Sequence, residues 1–403
     1  MRPLQSGVEA NQLQRPLEDL IGDNAELLTS QLTTLRNRLF APSARKELRT
    51  FSSSEAARLI GVTDGRLRQV AGADDGPIPE KGPGGRHLYT LRQIDEVRRY
   101  LSRSRNSYIP HRREGERLQV IAVTNFKGGS GKTTTAAHLA QYLALRGYRV
   151  LAMDLDPQAS MTSLFGYQPE VDLREGGTLY GAIRYQNQLS VARVIRRTYF
   201  PNLRLIPGNI ELQEYEYDTP RHLARYGTAN GPVFSRVADA INSVAHHFDV
   251  VVIDCPPQLG FLTLSALAAS TGIVLTIHPQ MLDVASMSQF LNMLSGLLSA
   301  VREAGAELRY DFLRYLVTRY EPHDGPQQQI VGFLRSNFGN LVLENPMVKS
   351  TAISEAGLRK QTLYEIGRDQ LHRQTYDRAM DALHKVHTEI EQTIHQAWGR
   401  AAT

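Results

Sequence analysis

The sequence predicts an α/β fold, a mostly parallel sheet flanked by helices, with a smaller basic module ahead of it. Three observations carry this. A glycine-rich loop joins an apolar run to an Ala/Leu-rich segment, further apolar runs of strand length alternate with helix-like segments, and a basic stretch of different pattern comes first. Strands alternating with helices imply βα units and parallel pairing, which gathers the functional loops at one edge of the sheet.

Composition sets the outer limits. The 403 residues suffice for two or three domains, and 41% hydrophobic with 22% charged residues is ordinary for a globular protein. No apolar run is expected to reach the roughly 18 residues of a membrane span. The opening MRPLQSGVEANQ lacks the apolar core of a signal peptide, so a cytoplasmic protein is expected. A single cysteine, Cys255, excludes an intramolecular disulfide, and no Cys/His cluster has zinc-like spacing. The net charge of +5 is uneven: residues 41–117 hold 16 Lys/Arg against 10 Asp/Glu, so positive charge sits ahead of the sheet, as nucleic-acid contact requires.

Residues 1–45 become periodic, with Leu17, Leu20, Ile21, Leu27, Leu28, Leu32, Leu35 and Leu39 at helical intervals. Such a helix must bury its stripe somewhere, on a second subunit as a dimerisation element or on its own chain. Residues 46–105 form the next domain. Ser52-Ser53-Ser54-Glu55 offers N-caps for a helix over 56–60, Gly61-Val62-Thr63 a turn, and 64–70 a second helix. This is a helix-turn-helix layout. Ser54, Arg66, Arg68 and Gln69 are its candidates for base edges or phosphates. Residues 81–90 read as a glycine-rich wing carrying Lys81 and Arg86, and 91–101 as a helix. The alternative is a small charged domain serving only as a dimer interface. Residues 106–117 are polar and aperiodic, as a linker would be.

From 118 onward the pattern changes. Leu118–Thr124 is apolar throughout, as suits a strand buried on both faces. It runs into Lys127-Gly128-Gly129-Ser130-Gly131-Lys132-Thr133, then Thr134 and a helix to about Arg146. Three glycines in four positions let successive N–H groups face one centre, and the helix N-terminus adds its dipole, a nest for polyphosphate. Lys132 is placed for the β- and γ-phosphates, and the Thr133 hydroxyl for a Mg²⁺ bridging them. Phe126 stands where the first glycine of the usual phosphate loop belongs, and Lys127 supplies a second lysine, giving K-G-G-x-G-K-[ST].

Further strands are expected at 149–155, ending in Asp154-Leu155-Asp156-Pro157-Gln158, and at 203–207, 250–254, 272–278 and 312–318. Helices are expected at 234–247, 285–301 and 376–398, while 166–230 offers no secure pattern beyond the 203–207 run. Together these residues resemble the ParA-type ATPases of the deviant-Walker P-loop group, over about residues 45–365. The larger plasmid partition proteins, those of repABC replicons in particular, are the nearest likeness.

The resemblance implies a P-loop NTPase domain over 118–403, with ATP and Mg²⁺ as cofactors. It implies a D-x-D-P-Q element in which Asp156 orients the attacking water and Asp154 lies nearer the metal, one of the two being open to a purely structural role. Asp254, closing the apolar run Val250–Ile253, would hold Mg²⁺ through water. Lys127 would reach across a nucleotide-sandwich homodimer. Lys127, Lys132 and Asp156 would thus be catalytic, with Thr133, Asp154 and Asp254 on the metal. Nucleotide contacts would come from residues 127–134, Pro257, Thr318, Arg319, and Asn345-Pro346 near the base.

In the same family the early module is similar to MerR-like winged domains. Specific operator DNA, nonspecific DNA on the nucleoid, a ParB-like (RepB-like) centromere-binding partner and autorepression are therefore expected. Lys349, Arg359, Lys360 and Arg368 are late basic candidates for nonspecific DNA, the alternative for each being a solvated charge. A nucleotide-switched repressor with incidental ATPase activity stays open as the second reading. A lipid-binding C-terminal helix is not expected, since no basic face is evident at 376–398, and a cluster-bearing reductase is excluded by the single cysteine.

Overall fold

The computed structural model describes residues 16–39, 46–82, 85–103, 107–227 and 233–400. The expected wing tip Pro83-Gly84 and the early segments 1–15 and 40–45 lie outside the described residues. The chain forms two compact units, Met1–Lys46 and Glu47–Thr403.

The first unit contributes α1, Leu17–Leu39, whose first turn carries Glu18 and Asp19 at the positive end of the helix dipole. Of the apolar stripe read from the sequence, Leu17, Ile21, Leu27 and Leu28 are exposed and Leu20 is half-buried.

The second unit opens with β1 (Phe51–Ser52), α2 (Ser53–Ile60), α3 (Asp64–Ala71), β2 (Glu80–Lys81), β3 (His87–Tyr89) and α4 (Leu91–Leu101). The local chemistry explains these boundaries. Ser52 and Glu55 form a reciprocal capping box on α2, and Thr90 with Gln93 does the same for α4. Gly61, at φ 84°, ends α2 in the left-handed region that a side chain would disfavour. Thr63 caps α3. The three short strands pair antiparallel in the order β1-β3-β2.

The large sheet follows: β4 (Gln119–Thr124), α5 (Lys132–Arg146), β5 (Val150–Asp154), β6 (Arg196–Arg197), β7 (Leu203–Ile206), α6 (Leu212–Tyr226), α7 (Arg236–Asn242), β8 (Val250–Asp254), α8 (Phe261–Ala269), β9 (Gly272–Ile277), α9 (Met281–Glu303), β10 (Phe312–Val317), α10 (Gly325–Phe338), α11 (Thr351–Leu358) and α12 (Arg373–Ala397). The order across the sheet is β10-β9-β4-β8-β5-β7-β6, parallel except for the edge pair β6–β7. β4 is buried along its whole length, with Ile121 and Val123 in the core on one face and Val120 and Ala122 in the core on the other. Both faces are dry, and that is why its sequence shows no alternation.

Three segments differ from the sequence expectation. The helix foreseen at 234–247 is broken into a 3₁₀ turn at Val233–Ser235, α7, and a second 3₁₀ turn at Ala245–His247. Ser243 Oγ donates to the Ala240 carbonyl at 2.7 Å, one way a serine closes a helix. The unplaced stretch 166–230 holds one-turn helices at Pro169–Asp172, Leu179–Ile183 and Val191–Val194, then β6, β7 and α6. Finally, α9 begins at Met281 and is long and apolar enough to cross a membrane by length and composition, contrary to the expectation that no run would be. Its buried residues include Met287, Phe290, Leu294 and Val301, and serines, Gln289 and Asn292 interrupt the apolar run.

The early module is built into the sheet domain. One continuous core includes Phe51, Leu67, Tyr89 and Ile94, then Leu139 and Leu143 of α5, and Val386, Ile390 and Ile394 of α12. Where these elements meet, the Arg98 guanidinium is almost fully buried and donates to Asp95 (2.6 Å), to the Leu59 carbonyl (2.8 Å) and to the Leu145 carbonyl (2.7 Å). Those two carbonyls lie in the last turns of α2 and α5, where helices leave acceptors without intrahelical partners. Arg146 adds a bond to the Leu59 carbonyl and pairs with the buried Glu391 of α12.

The segment read as a linker is pinned as well. Arg112 N and the Arg149 guanidinium both bond the buried Asp249, and Trp398 Nε1 donates to the Arg117 carbonyl. Breaking the Arg98 clamp takes the cation from Asp95, which keeps Asn202, and strands the Leu145 carbonyl, while Arg146 still reaches Leu59; Arg98→Ala is therefore expected to cost about 3 kcal/mol in urea unfolding, against a few tenths for the exposed Arg58→Ala.

Candidate functional site

The site is assembled at the carboxyl edge of the sheet, where α5 starts after the interior strand β4. The loop turns through Gly129 (φ 74°) and Gly131 (φ 86°), both left-handed, so the spacing of glycines is a backbone requirement. Neighbouring strand ends fix the loop from outside. Thr318 Oγ1 donates to the Ser130 carbonyl at 2.7 Å and Thr276 Oγ1 to Ser130 Oγ at 3.0 Å. Arg319, itself at φ 52°, reaches the Gly129 carbonyl at 3.3 Å.

A cavity of about 570 Å³ opens over this loop, within the range of small-molecule and cofactor sites. Of the residues expected there, Gly128, Gly129, Gly131, Lys132, Thr133, Thr134, Asp156, Pro257, Thr318 and Arg319 line it. Lys127 and Ser130 line an adjoining cavity of about 270 Å³. Lys132 is buried with its Nζ donating to the Lys127 carbonyl at 3.0 Å. Burial lowers its pKa, and the charges of Asp254 and Asp156 act the other way.

The three acids differ in environment. Asp254 ends β8 fully buried, and neither carboxylate oxygen has a hydrogen-bond partner. Burial and the neighbouring Asp154 push its pKa well up, with Thr133 and Lys132 opposing. A buried, unpartnered carboxylate is costly unless a cation answers it. Among the described residues no three His, Cys, Asp or Glu side chains are grouped to hold a metal. Asp254 and the Thr133 hydroxyl therefore fit a hydrated Mg²⁺ that takes its remaining ligands from water and phosphate.

Asp154, expected nearer the metal, stands beside Asp254. It is fully buried, and it accepts from Thr162 N (2.8 Å), Thr162 Oγ1 (2.7 Å) and Asp156 N (3.2 Å). With those bonds made it organises the 156–162 turn, which includes Ala159 at φ 52°. Asp156 is half-buried on the cavity wall and accepts from Gln158 N at 2.9 Å.

Two further residues of the expected nucleotide set lie off the cavity wall. Asn345 does not line the cavity: its backbone N and Nδ2 bond Glu389 of α12 at 3.1 Å each, and Pro346 is likewise absent from the lining. The wall is made instead by Met347–Ser350, whose strand-like course follows from the Met347 N to Val317 O bond. Lys349, read as a DNA contact, lies on this wall and pairs with Glu321 at 2.9 Å.

The other basic candidates lie away from the cavity. Arg359 and Lys360 are exposed after α11, and Arg368 pairs with Asp377. Ser54, Arg66, Arg68, Gln69, Lys81 and Arg86 are all exposed on α2, α3 and the β2–β3 hairpin, with Arg66 bonded to Gln69 at 3.2 Å. Sequence reading missed Gln158, Ser160, Ile353 and Ser354 on the cavity wall, and it missed Asp283, which pairs with Lys127. The strand end preceding Asp283, His278 after β9, was the available signal, since other strand ends had already been read as functional.

Comparisons with known proteins bear on the family and the fold. A family model described as an AAA domain matches residues 118–304. A Rhizobium rhizogenes protein provisionally named replication protein A is 54% identical over 388 residues, 95% of this chain and 96% of that one. Protein SopA of Escherichia coli K12 is 30% identical, covering 82% and 84% of the two chains. Among solved structures, a protein titled Partition Protein aligns with TM-score 0.61 at 20% identity over 84% of this chain and 95% of its own, a likeness of fold. The cobyrinic acid a,c-diamide synthase of Mycobacterium smegmatis, solved with ADP and magnesium, aligns with TM-score 0.50 at 26% identity over 60% and 91%.

Two measurements test the site. Asp254→Asn removes the orphan charge, so it is expected to raise the melting temperature in EDTA and to abolish the further rise that Mg·ATP produces. An unchanged melting temperature in EDTA counts against the orphan.

The second is a pH dependence. His138 of α5 is fully enclosed, its Nδ1 donating to the Thr134 carbonyl (2.8 Å) and its Nε2 accepting from Leu363 N (3.3 Å), and burial lowers its pKa to about 4. The unfolded chain therefore binds this proton first, near pH 6.5, and the stabilisation present above that pH is lost as pH falls toward 4. Urea midpoints should fall over that window in the wild type and less steeply in His138→Asn.

Proposed function

The chain belongs to the ParA-type partition ATPases, and from that premise we propose that it binds Mg·ATP, pairs with a second copy around the nucleotide, and hydrolyses it to move DNA. The observation that carries the reading is the glycine-turned loop with a buried lysine on one side and the unpartnered Asp254 carboxylate on the other. Such an arrangement answers both charges of a metal–triphosphate.

In this reading the N–H groups of residues 128–134 and the Lys132 ammonium hold the β- and γ-phosphates, and Thr133 and Asp254 hold Mg²⁺, which neutralises charge developing on the phosphates. Asp156 orients the water that attacks the γ-phosphorus, and ADP leaves as the bond to the bridging oxygen breaks. Lys127 acts on the nucleotide of the opposite subunit, which makes turnover depend on dimerisation. Phosphoryl transfer needs mainly positioning and charge, so this set is sufficient.

We extend the proposal to DNA. The exposed basic residues of α3 and the β2–β3 hairpin bind a specific operator as a winged helix-turn-helix, giving autorepression. Arg359 and Lys360 add nonspecific contacts that tie the dimer to the nucleoid, and a ParB-like (RepB-like) partner on the centromere stimulates hydrolysis. The second reading, a nucleotide-switched repressor with incidental turnover, draws on one specific observation: Arg98 and Arg146 join α2 directly to the end of the phosphate-loop helix.

The decisive assay measures ATP turnover with DNA and with a purified centromere-bound partner. Partition predicts strong stimulation by the two together; an unchanged rate favours the repressor. Lys127→Ala is expected to reduce turnover roughly 100-fold or more while ATP affinity changes little. Wild-type turnover in that variant would refute the role of Lys127 in the opposite site.

A further inference from the structure

Lys127 is held within its own chain. Its ammonium is bonded to the Asp283 carboxylate at the first turn of α9, and the other oxygen of Asp283 faces His278 Nδ1 at 3.4 Å. The lysine is 46% exposed while the aspartate is only 8% exposed, so a partly solvated cation caps a nearly buried anion. The surrounding chain is fixed to match. Lys127 N donates to Asn125 Oδ1 at 3.0 Å, and Phe126 stacks on Phe290 of α9 with ring centroids 5.0 Å apart. Lys132 Nζ donates to the carbonyl of the same Lys127, so both loop lysines are anchored at one residue.

We propose that Asp283 is a positioning residue for hydrolysis: it keeps Lys127 on its own subunit until a triphosphate in the loop and a second copy of the chain compete successfully for the ammonium. This rests on the reading that Lys127 acts across the dimer. The reason is electrostatic. A carboxylate this buried loses much when its cation leaves, so a weak or monovalent anion nearby does not draw the lysine away. A triphosphate enclosed between two subunits does, because it concentrates several negative charges where water is excluded. His278 Nδ1, 3.4 Å from the second oxygen, stays beside Asp283 after the exchange. The contact thus sets a threshold: each subunit pays with one ion pair for forming the dimer, and diphosphate offers too little charge to offset it.

The test uses the full chain and two independent readouts. Asp283→Asn keeps the shape and removes the charge. The ATP-driven dimer should then form at a protein concentration lower by about fivefold or more, read by sedimentation with Mg and a slowly hydrolysed ATP analogue. The gain should vanish in Lys127→Ala/Asp283→Asn, since no lysine remains to be freed. Without nucleotide, the Lys127 amine should be acetylated faster in Asp283→Asn than in the wild type, read by peptide mass spectrometry.

Equal acetylation rates overturn the proposal, and so does a dimer that forms no more readily or more weakly. Asp283→Ser, subjected to the same two measurements, decides the matter if the asparagine variant fails to fold. Failure of the cross-dimer reading shows separately, as full turnover in Lys127→Ala, because the acetylation readout reports the Lys127–Asp283 contact whatever the turnover of either variant.

Discussion

The larger unit depends on one constraint: α5 must leave its first turn open at the edge of the sheet while every other face is enclosed. From Thr135 to Leu145 each residue is buried, covered by the sheet on one side and by α12 and the early module on the others. An Ala-rich sequence suits this, because small side chains let four elements approach a single helix closely. The exposed end then presents N–H groups without intrahelical partners to whatever anion occupies the cavity. Nearly all of the packing contributes to holding that one end still.

Enclosing a helix so completely brings polar groups inside, and the structure answers most of them with specific partners, His387 Nε2 being one left without. Glu391 accepts from Tyr142, Tyr148 and Arg146; Asp249 from Arg112 and Arg149; and the His138 and Gln141 side chains bond around Leu363, Thr362 and Glu365. Buried networks of this kind lose much if half satisfied, so they specify one arrangement of helices around α5. Asp254 stands apart from them. Its oxygens are buried without partners, at the one place where a cation would be useful. Its neighbour Asp154, only two residues from Asp156 in sequence, is fully bonded and shapes a turn. Two similar carboxylates thus do different work because of the groups that reach them.

Much of this was legible beforehand. Apolar runs located β4, β5, β8, β9 and β10, since a strand dry on both faces must be apolar throughout, and the glycine spacing located the loop, since left-handed turns at Gly129 and Gly131 demand it. Less was legible where the signal is not local. Most of 166–230 was unreadable because its one-turn helices are too short to show a period and the longer α6 carries Pro220 within it. That Asn345 bonds Glu389 was not legible, because the partner lies 44 residues further on.

The sequence by itself therefore determined the five buried strands, the anion-binding loop and the charge excess ahead of it, all of which follow from backbone requirements and from burial repeating over a few residues. Only the tertiary structure decided which acid is left without a partner, that the early module shares a core with the sheet domain, and that Lys127 is bonded to Asp283, 156 residues away. Those outcomes depend on which side chains meet after the chain has folded back on itself. Spacing along the chain carries no information about such meetings, because desolvation and hydrogen bonding are set by neighbours in space.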